Sequence, residues 1–241
     1  MAEKKHLKQR INEGEVIIGA IVGWDTGSDR LKEILDQYPY DFFSLDSQHS
    51  PFSEEKLVDF CNMADEVGAD MHFRIKHTRH SYLIGNILDL GPTLIEVPQV
   101  ENVATVDESI EHFYFPPVAR RSWIGGASKG FEERGSDRIA YANWWNTYGV
   151  LWMQIESINS VTDVRKIAKH GIDCVSWGPA DLSFSRESNP EHPFKTDEDC
   201  VRYVVNQLEG TGVRLAYRSY DPALRDKYID MGATVLLEVP K

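Results

Sequence analysis

The sequence predicts an α/β fold of the (β/α)8 TIM-barrel type, on three observations. Eight short apolar runs rich in β-branched and aromatic residues recur along the chain of 241 residues. Segments with helical spacing separate them, and the length suits a barrel built around one core. Closing the sheet also buries eight parallel strands without leaving two long unpaired edges. One domain over 1–241 is expected.

In order, the runs are VIIGAIVG (16–23), DFFSLD (41–46), DMHFRI (70–75), TLIEVP (93–98), VLWMQIE (150–156), DCVSWG (173–178), GVRLAY (212–217) and ATVLLEVP (233–240). Between the second and third, SEEKLVDFCNMADEVG has helical periodicity, opens on a capping-box signal at Ser53 and closes at Gly68. Residues 116–149 exceed a single helix and are rich in Gly, Arg and aromatics, which reads as an insertion or a lid-like loop. Little follows the eighth run, so a barrel lacking a last helix is expected. The outer face of that strand is expected to be covered by the N-terminal segment KKHLKQRINEG or by a neighbouring subunit.

A formal charge of −12 opposes phosphate backbones and anionic membrane surfaces, so neither nucleic acid nor membrane is an expected partner. Cys61, Cys174 and Cys200 are odd in number and widely spaced, which indicates neither a disulfide framework nor a zinc site and fits a reducing cytosol. No apolar stretch approaches 18 residues, and the charged N-terminus lacks the apolar segment of a signal peptide. A cytoplasmic protein is expected.

In a barrel of this kind, chemistry sits where strands end and their following loops begin. Asp46 and His49 follow the second run, Arg74 lies in the third, Gln154 and Glu156 close the fifth, and Asp181 follows the sixth. Glu156 and Asp181 are a natural pair for a hard divalent cation, Mg²⁺ or Mn²⁺ with Co²⁺ as a further candidate, with coordination sites left over for substrate. For either acid alone, a capped helix start or a surface carboxylate is the plain alternative. Gly178 and Pro179 permit a turn in which the backbone N–H groups of Ala180 and Asp181 meet a substrate carboxylate. Arg74 suits an enolate or carboxylate oxygen, with a structural ion pair as its alternative. His49, with Asp46 three residues upstream to set its tautomer, has the arrangement of a general base, against the alternative of an exposed loop histidine.

Other groups are weaker candidates. His72, His77 and His80 read as core or surface histidines. Lys76 would form a Schiff base only if desolvated, and RIKHTRH offers nothing apolar to achieve that. The run YANWWNTYGVLW reads as packing, although a position near the mouth would favour a bulky substrate.

SLDSQHSPFSEEKL, RIKH, LIEVPQVENVATVDESI, YFPPVARRSW, QIES and GPADLS resemble, in order and spacing, the HpcH/HpaI aldolase and citrate lyase family, with the match covering roughly residues 15–185. The resemblance implies a metal-dependent pyruvate aldolase that cleaves a 4-hydroxy-2-oxo acid to pyruvate, or a related 2-oxo acid, and an aldehyde. It implies Glu156 and Asp181 as metal ligands, Arg74 on the keto or enolate oxygen, and His49 with Asp46 as an acid/base dyad. Gln154 would line the pyruvate pocket, the backbone at Ala180 and Asp181 would receive the carboxylate, and the assembly would be a homo-oligomer. Two departures stand out: Gln48 replaces the family's Glu in Asp-x-Glu-His, and ARRSW replaces its Gly-rich loop. An oxaloacetate decarboxylase, a carbon–carbon bond-forming synthase, or a non-catalytic 2-oxo acid binder would use the same site.

Overall fold

The computed structural model describes residues 5–241. Eight parallel strands close into a barrel in chain order: β1 Ile17–Ile21, β2 Phe42–Asp46, β3 Asp70–Arg74, β4 Leu94–Val97, β5 Val150–Ile155, β6 Cys174–Trp177, β7 Arg214–Tyr220 and β8 Val235–Glu238. The helices are α1 Leu7–Glu13, α2 Ser28–Gln37, α3 Glu54–Glu66, α4 Ile84–Leu88, α5 Val103–Phe113, α6 Phe131–Arg134, α7 Arg138–Tyr148, α8 Ile158–Thr162, α9 Val164–Ile167, α10 Pro179–Glu187, α11 Asp197–Leu208 and α12 Arg225–Asp230.

Alternation along each strand sorts its residues into two cores. Outward residues such as Phe43, Leu45, Phe73, Ile95, Met153 and Val175 pack against the helices. Inward residues Ile17, Phe42, Leu94, Val150, Trp152, Cys174 and Val235 fill the lower barrel. Gly19 is required there, since a Cβ would meet the Phe42 ring at 2.2 Å.

Three local expectations are decided, two of them as corrections. Ser53 caps α3 by accepting from the Lys56 N–H at 3.3 Å, but residue N3 is a lysine, so the reciprocal half of a capping box does not form. Within 116–149, α7 buries Tyr141 and Trp145 on the outer layer and leads into the start of β5, at the end opposite the mouth, while Trp152 lies inside the barrel. The aromatic run is therefore packing.

The other correction concerns α1. It closes the lower end of the barrel, where Leu7 and Ile11 join the inner core, rather than covering β8. On the outer side of β8, Leu236 is buried in the helix-facing core and Glu238 is paired with Arg225. Arg225 donates to Glu238 at 2.9 and 2.8 Å and lies over the Tyr38 ring. Position along the chain does not reveal this, because α1 is anchored by a distant cluster. Lys8 donates to the Tyr114 hydroxyl (2.8 Å), the Gly149 carbonyl (2.9 Å) and Asp173 (2.8 Å). Lys8→Met leaves buried Asp173 without its cation and is expected to cost roughly 3 kcal/mol, lowering the melting temperature by on the order of 5–10 °C. A thermal melt unchanged from wild type would show that the plug contributes little.

Candidate active site

Asp46, the last residue of β2, faces Arg74, the last residue of β3, in direct register. That alignment lets the guanidinium fork engage both carboxylate oxygens, Nε to Oδ1 at 2.8 Å and Nη2 to Oδ2 at 2.6 Å. The remaining terminal nitrogen, Nη1, donates to Gln154 Oε1 at 3.2 Å across the barrel. Burial works against ionisation of Asp46, but the bonds from Arg74 outweigh it and hold its pKa below the ordinary value.

The expected pairing of Asp46 with His49 is not what the structure contains. His49 is exposed and makes no hydrogen bond to Asp46, whose Oδ1 also accepts the Gln48 N–H at 2.8 Å. A charged fork aligned by strand register outcompetes a loop imidazole for the same carboxylate. His49 remains at the mouth, on the loop after β2. His72 is fully buried within the barrel, where burial pushes its pKa down, so it is a core residue and not a surface one.

Glu156 immediately follows β5. The turn that carries it is fixed by a capping box in which Ser157 and Ser160 satisfy each other's backbone N–H groups, while Ser160 Oγ also accepts from Glu156 N at 3.2 Å. Burial first, and then the charge of Asp181, push the Glu156 carboxyl up to about 7, against the pull of Arg74. Its Oε1 is buried with no hydrogen-bond partner. Gly178 is bare because this carboxylate lies on it: a Cβ there would meet Glu156 Oε2 at 2.3 Å and Gln154 Nε2 at 2.9 Å.

Asp181 stands in the first turn of α10, partly exposed. Gly178 is the N-cap and supplies no side-chain acceptor, and Pro179 takes the first helical position. The N–H groups of Ala180 and Asp181 have no acceptor among the described residues, leaving a helix start suited to an anion.

These groups fit a divalent cation. Among the described residues neither Glu156 nor Asp181 makes an ion pair or hydrogen bond through its carboxylate, whereas Asp46 is neutralised by Arg74. The mouth therefore holds two carboxyl groups without a counter-ion, one with an orphaned buried oxygen. No group of three or more His, Cys, Asp or Glu side chains gathers among the described residues, so the protein would supply two carboxylates, as suits an oxygen-loving ion that keeps water and substrate as its other ligands.

Two features escaped the sequence reading. Gln48 Oε1 is a second buried acceptor without a partner near Asp46. Below the mouth, Glu96 and Arg218 form a buried ion pair joined by His72, Ser44 and Ser176. The available signals were a charge inside the fourth run, at Glu96, and one directly after the seventh, at Arg218.

An acid pair, a guanidinium and a bare helix start therefore gather at the C-terminal ends of the strands of an eight-stranded barrel. The profile of the HpcH/HpaI aldolase/citrate lyase family matches residues 25–215, and the chain belongs to that family of carbon–carbon lyases. It is 25% identical over 230 residues to a hydroxypyruvate/pyruvate aldolase of Pseudomonas aeruginosa, covering 94% of this chain and 83% of that protein. A 2-keto-3-deoxy-L-rhamnonate aldolase of Klebsiella pneumoniae is 25% identical over 229 residues, with 94% and 84% covered. The crystal structure of an HpcH/HpaI aldolase from Desulfitobacterium hafniense superposes with a TM-score of 0.83 at 23% identity, covering 98% of this chain and 90% of that one, which establishes the shared fold.

Proposed function

We propose that the protein is a metal-assisted class II aldolase that cleaves a 4-hydroxy-2-oxo acid into pyruvate, or a related 2-oxo acid, and an aldehyde. The observation that carries this reading is the uncompensated Glu156–Asp181 pair beside the Arg74–Gln154 contact. Relatives named for hydroxypyruvate/pyruvate and 2-keto-3-deoxy-L-rhamnonate support the 2-oxo acid class.

A divalent cation held by Glu156 and Asp181 (Mg²⁺ or Mn²⁺, with Co²⁺ a further candidate) would supply Lewis acidity toward the carboxylate and keto oxygens of the substrate. The N–H groups of Ala180 and Asp181 receive the carboxylate. Arg74, held flat by Asp46, presents its remaining N–H to the oxygen that gains charge as the C3–C4 bond breaks. Gln154 keeps Arg74 turned toward that oxygen. His49, directly or through one water, takes the 4-hydroxyl proton as the aldehyde departs, and a proton then returns to C3. Three buried free cysteines suit the reducing cytosol expected for such an enzyme, and a homo-oligomer is part of the same reading. No helix among the described residues is long and apolar enough to cross a membrane.

The test is exchange of pyruvate methyl protons in D₂O, followed by NMR with Mg²⁺ or Mn²⁺ and again with a chelator. Metal-dependent exchange is expected; absence of exchange in both conditions would overturn the aldolase reading, and exchange that survives chelation would point to a Lys76 Schiff base. His49→Ala is expected to slow cleavage of 4-hydroxy-2-oxo acids by about 10²–10⁴-fold. Unchanged cleavage would assign the proton to another group.

A further inference from the structure

Beneath the mouth lies a layer of polar side chains that the proposed chemistry does not use. Glu96, on β4, is fully buried and accepts from Arg218 of β7 through both carboxylate oxygens, with Nη1 to Oε1 at 3.1 Å and Nη2 on Oε2. Ser176 of β6 donates to Oε1, and His72 Nε2 of β3 lies 3.3 Å from Oε2. The other His72 ring nitrogen meets the Ser44 hydroxyl of β2 at 2.9 Å. Burial alone would raise the Glu96 carboxyl, but Arg218 and His72 outweigh it and hold this acid well below the usual carboxylate range. Arg218 sits beside a bulge: Arg218 pairs with Leu237 and Tyr220 with Glu238, so Ser219 is an extra residue, and Tyr220 takes a left-handed φ of 55°.

The placement of this layer follows the strands. Ser44 lies two residues below Asp46, His72 two below Arg74, and Ser176 two below Gly178, all on the inward face. Glu96 is the register partner of Arg74 itself. A buried ion pair contributes little net stability compared with an apolar pair of the same size, so stability alone is a weak reason for a charge here. Glu96 is moreover a competitor: an ionised carboxylate one strand away from Arg74, at the same level, attracts the guanidinium that must stay on Asp46 and Gln154.

We propose that Arg218 is a positioning residue that occupies Glu96 and so leaves Arg74 free to face the substrate oxygen. Glu96 with Arg218 present is an occupied unit, with three hydrogen-bond donors on its two oxygens and the His72 ring 3.3 Å away. With Arg218 gone, Glu96 draws Arg74 sideways toward β4, and the donor is withdrawn from the place where negative charge develops. This rests on the aldolase reading for its kinetic consequence but not for its structural one.

The experiment compares wild type, Arg218→Met and the double variant Glu96→Gln/Arg218→Met. Two readouts are taken: the metal-dependent exchange rate of pyruvate methyl protons, and the Arg74 Nε–H resonance in ¹⁵N NMR, assigned by its loss in Arg74→Lys. Arg218→Met is expected to lower the exchange rate about 10–100-fold, part of what loss of one oxyanion donor costs, and to shift the Arg74 resonance. The double variant removes the competitor together with its guard, and is expected to recover the rate to within about 3-fold and return the resonance to its wild-type position. A purely structural layer predicts the opposite ordering, with the double variant no better than the single one, and that result would overturn the proposal. Should Arg218→Met fail to fold, Arg218→Lys keeps the charge without the fork, and recovery on adding Glu96→Gln is again required. If wild type shows no exchange, the aldolase reading fails, and the Arg74 resonance still decides the positioning claim by the same ordering.

Discussion

Glu156→Gln is expected to abolish metal-dependent turnover, with residual pyruvate proton exchange near the chelated background. The amide keeps the shape of the side chain above Gly178 but removes one of the two charges available to a cation, leaving Asp181 alone. The same variant has a second readout in the metal-free protein. In the folded state the Glu156 carboxyl is pushed up to about 7 by burial and then by Asp181, well above an unfolded glutamate near 4.5. A raised acid pKa means that the folded state holds the proton more tightly than the unfolded one. Between about pH 4.5 and 7 the unfolded chain ionises first, so stability falls as pH rises, by at most about 3 kcal/mol for this group. Above pH 7 the full cost is present; below pH 4.5 it is absent. Denaturant unfolding of Glu156→Gln should therefore show a flatter pH profile and a more stable metal-free protein at pH 8. Added Mg²⁺ or Mn²⁺ should stabilise wild type at pH 8 and not the variant. Retained metal-dependent activity in Glu156→Gln would remove the acid pair from the mechanism.

Arg74→Lys is expected to lower kcat by about 10²–10³-fold while leaving overall stability within a few kcal/mol of wild type. Lysine keeps the charge but lacks the planar fork, so it cannot satisfy both Asp46 oxygens and still reach Gln154. Steady-state cleavage kinetics separate the roles of this residue. A fall in kcat with little change in KM marks an interaction made as charge develops on the oxygen, whereas a rise in KM alone would assign Arg74 to ground-state binding. If neither constant moves, the enolate oxygen is held by another group.

Much of this molecule is legible in one dimension. All eight strand-like runs are strands, because period-two patterning and β-branched residues report burial on both faces of a parallel sheet. Gln154, Glu156 and Asp181 were found at strand ends for the same reason: the point where an apolar run turns polar marks the mouth. The motif stretch GPADLS announced the bare helix start, since Gly before Pro leaves no side-chain cap.

The partner of each side chain was not legible. Asp46 and His49 are three residues apart, yet Asp46 is bound by Arg74, 28 positions away along the chain, because parallel register sets them side by side. Lys8 anchors to Asp173 and Tyr114 across the whole chain, which placed α1 under the barrel instead of beside β8. Glu96 lies within the fourth run and Arg218 directly after the seventh, and only barrel closure brings β4 and β7 to face each other. The sequence by itself determined the strands, the alternation of faces and the residue types gathered at one end, all of which depend on neighbours within a few positions. The tertiary structure decided which carboxylate is neutralised, which is left for a cation and which cation guards which acid, because those outcomes depend on distances across the barrel that local pattern does not encode.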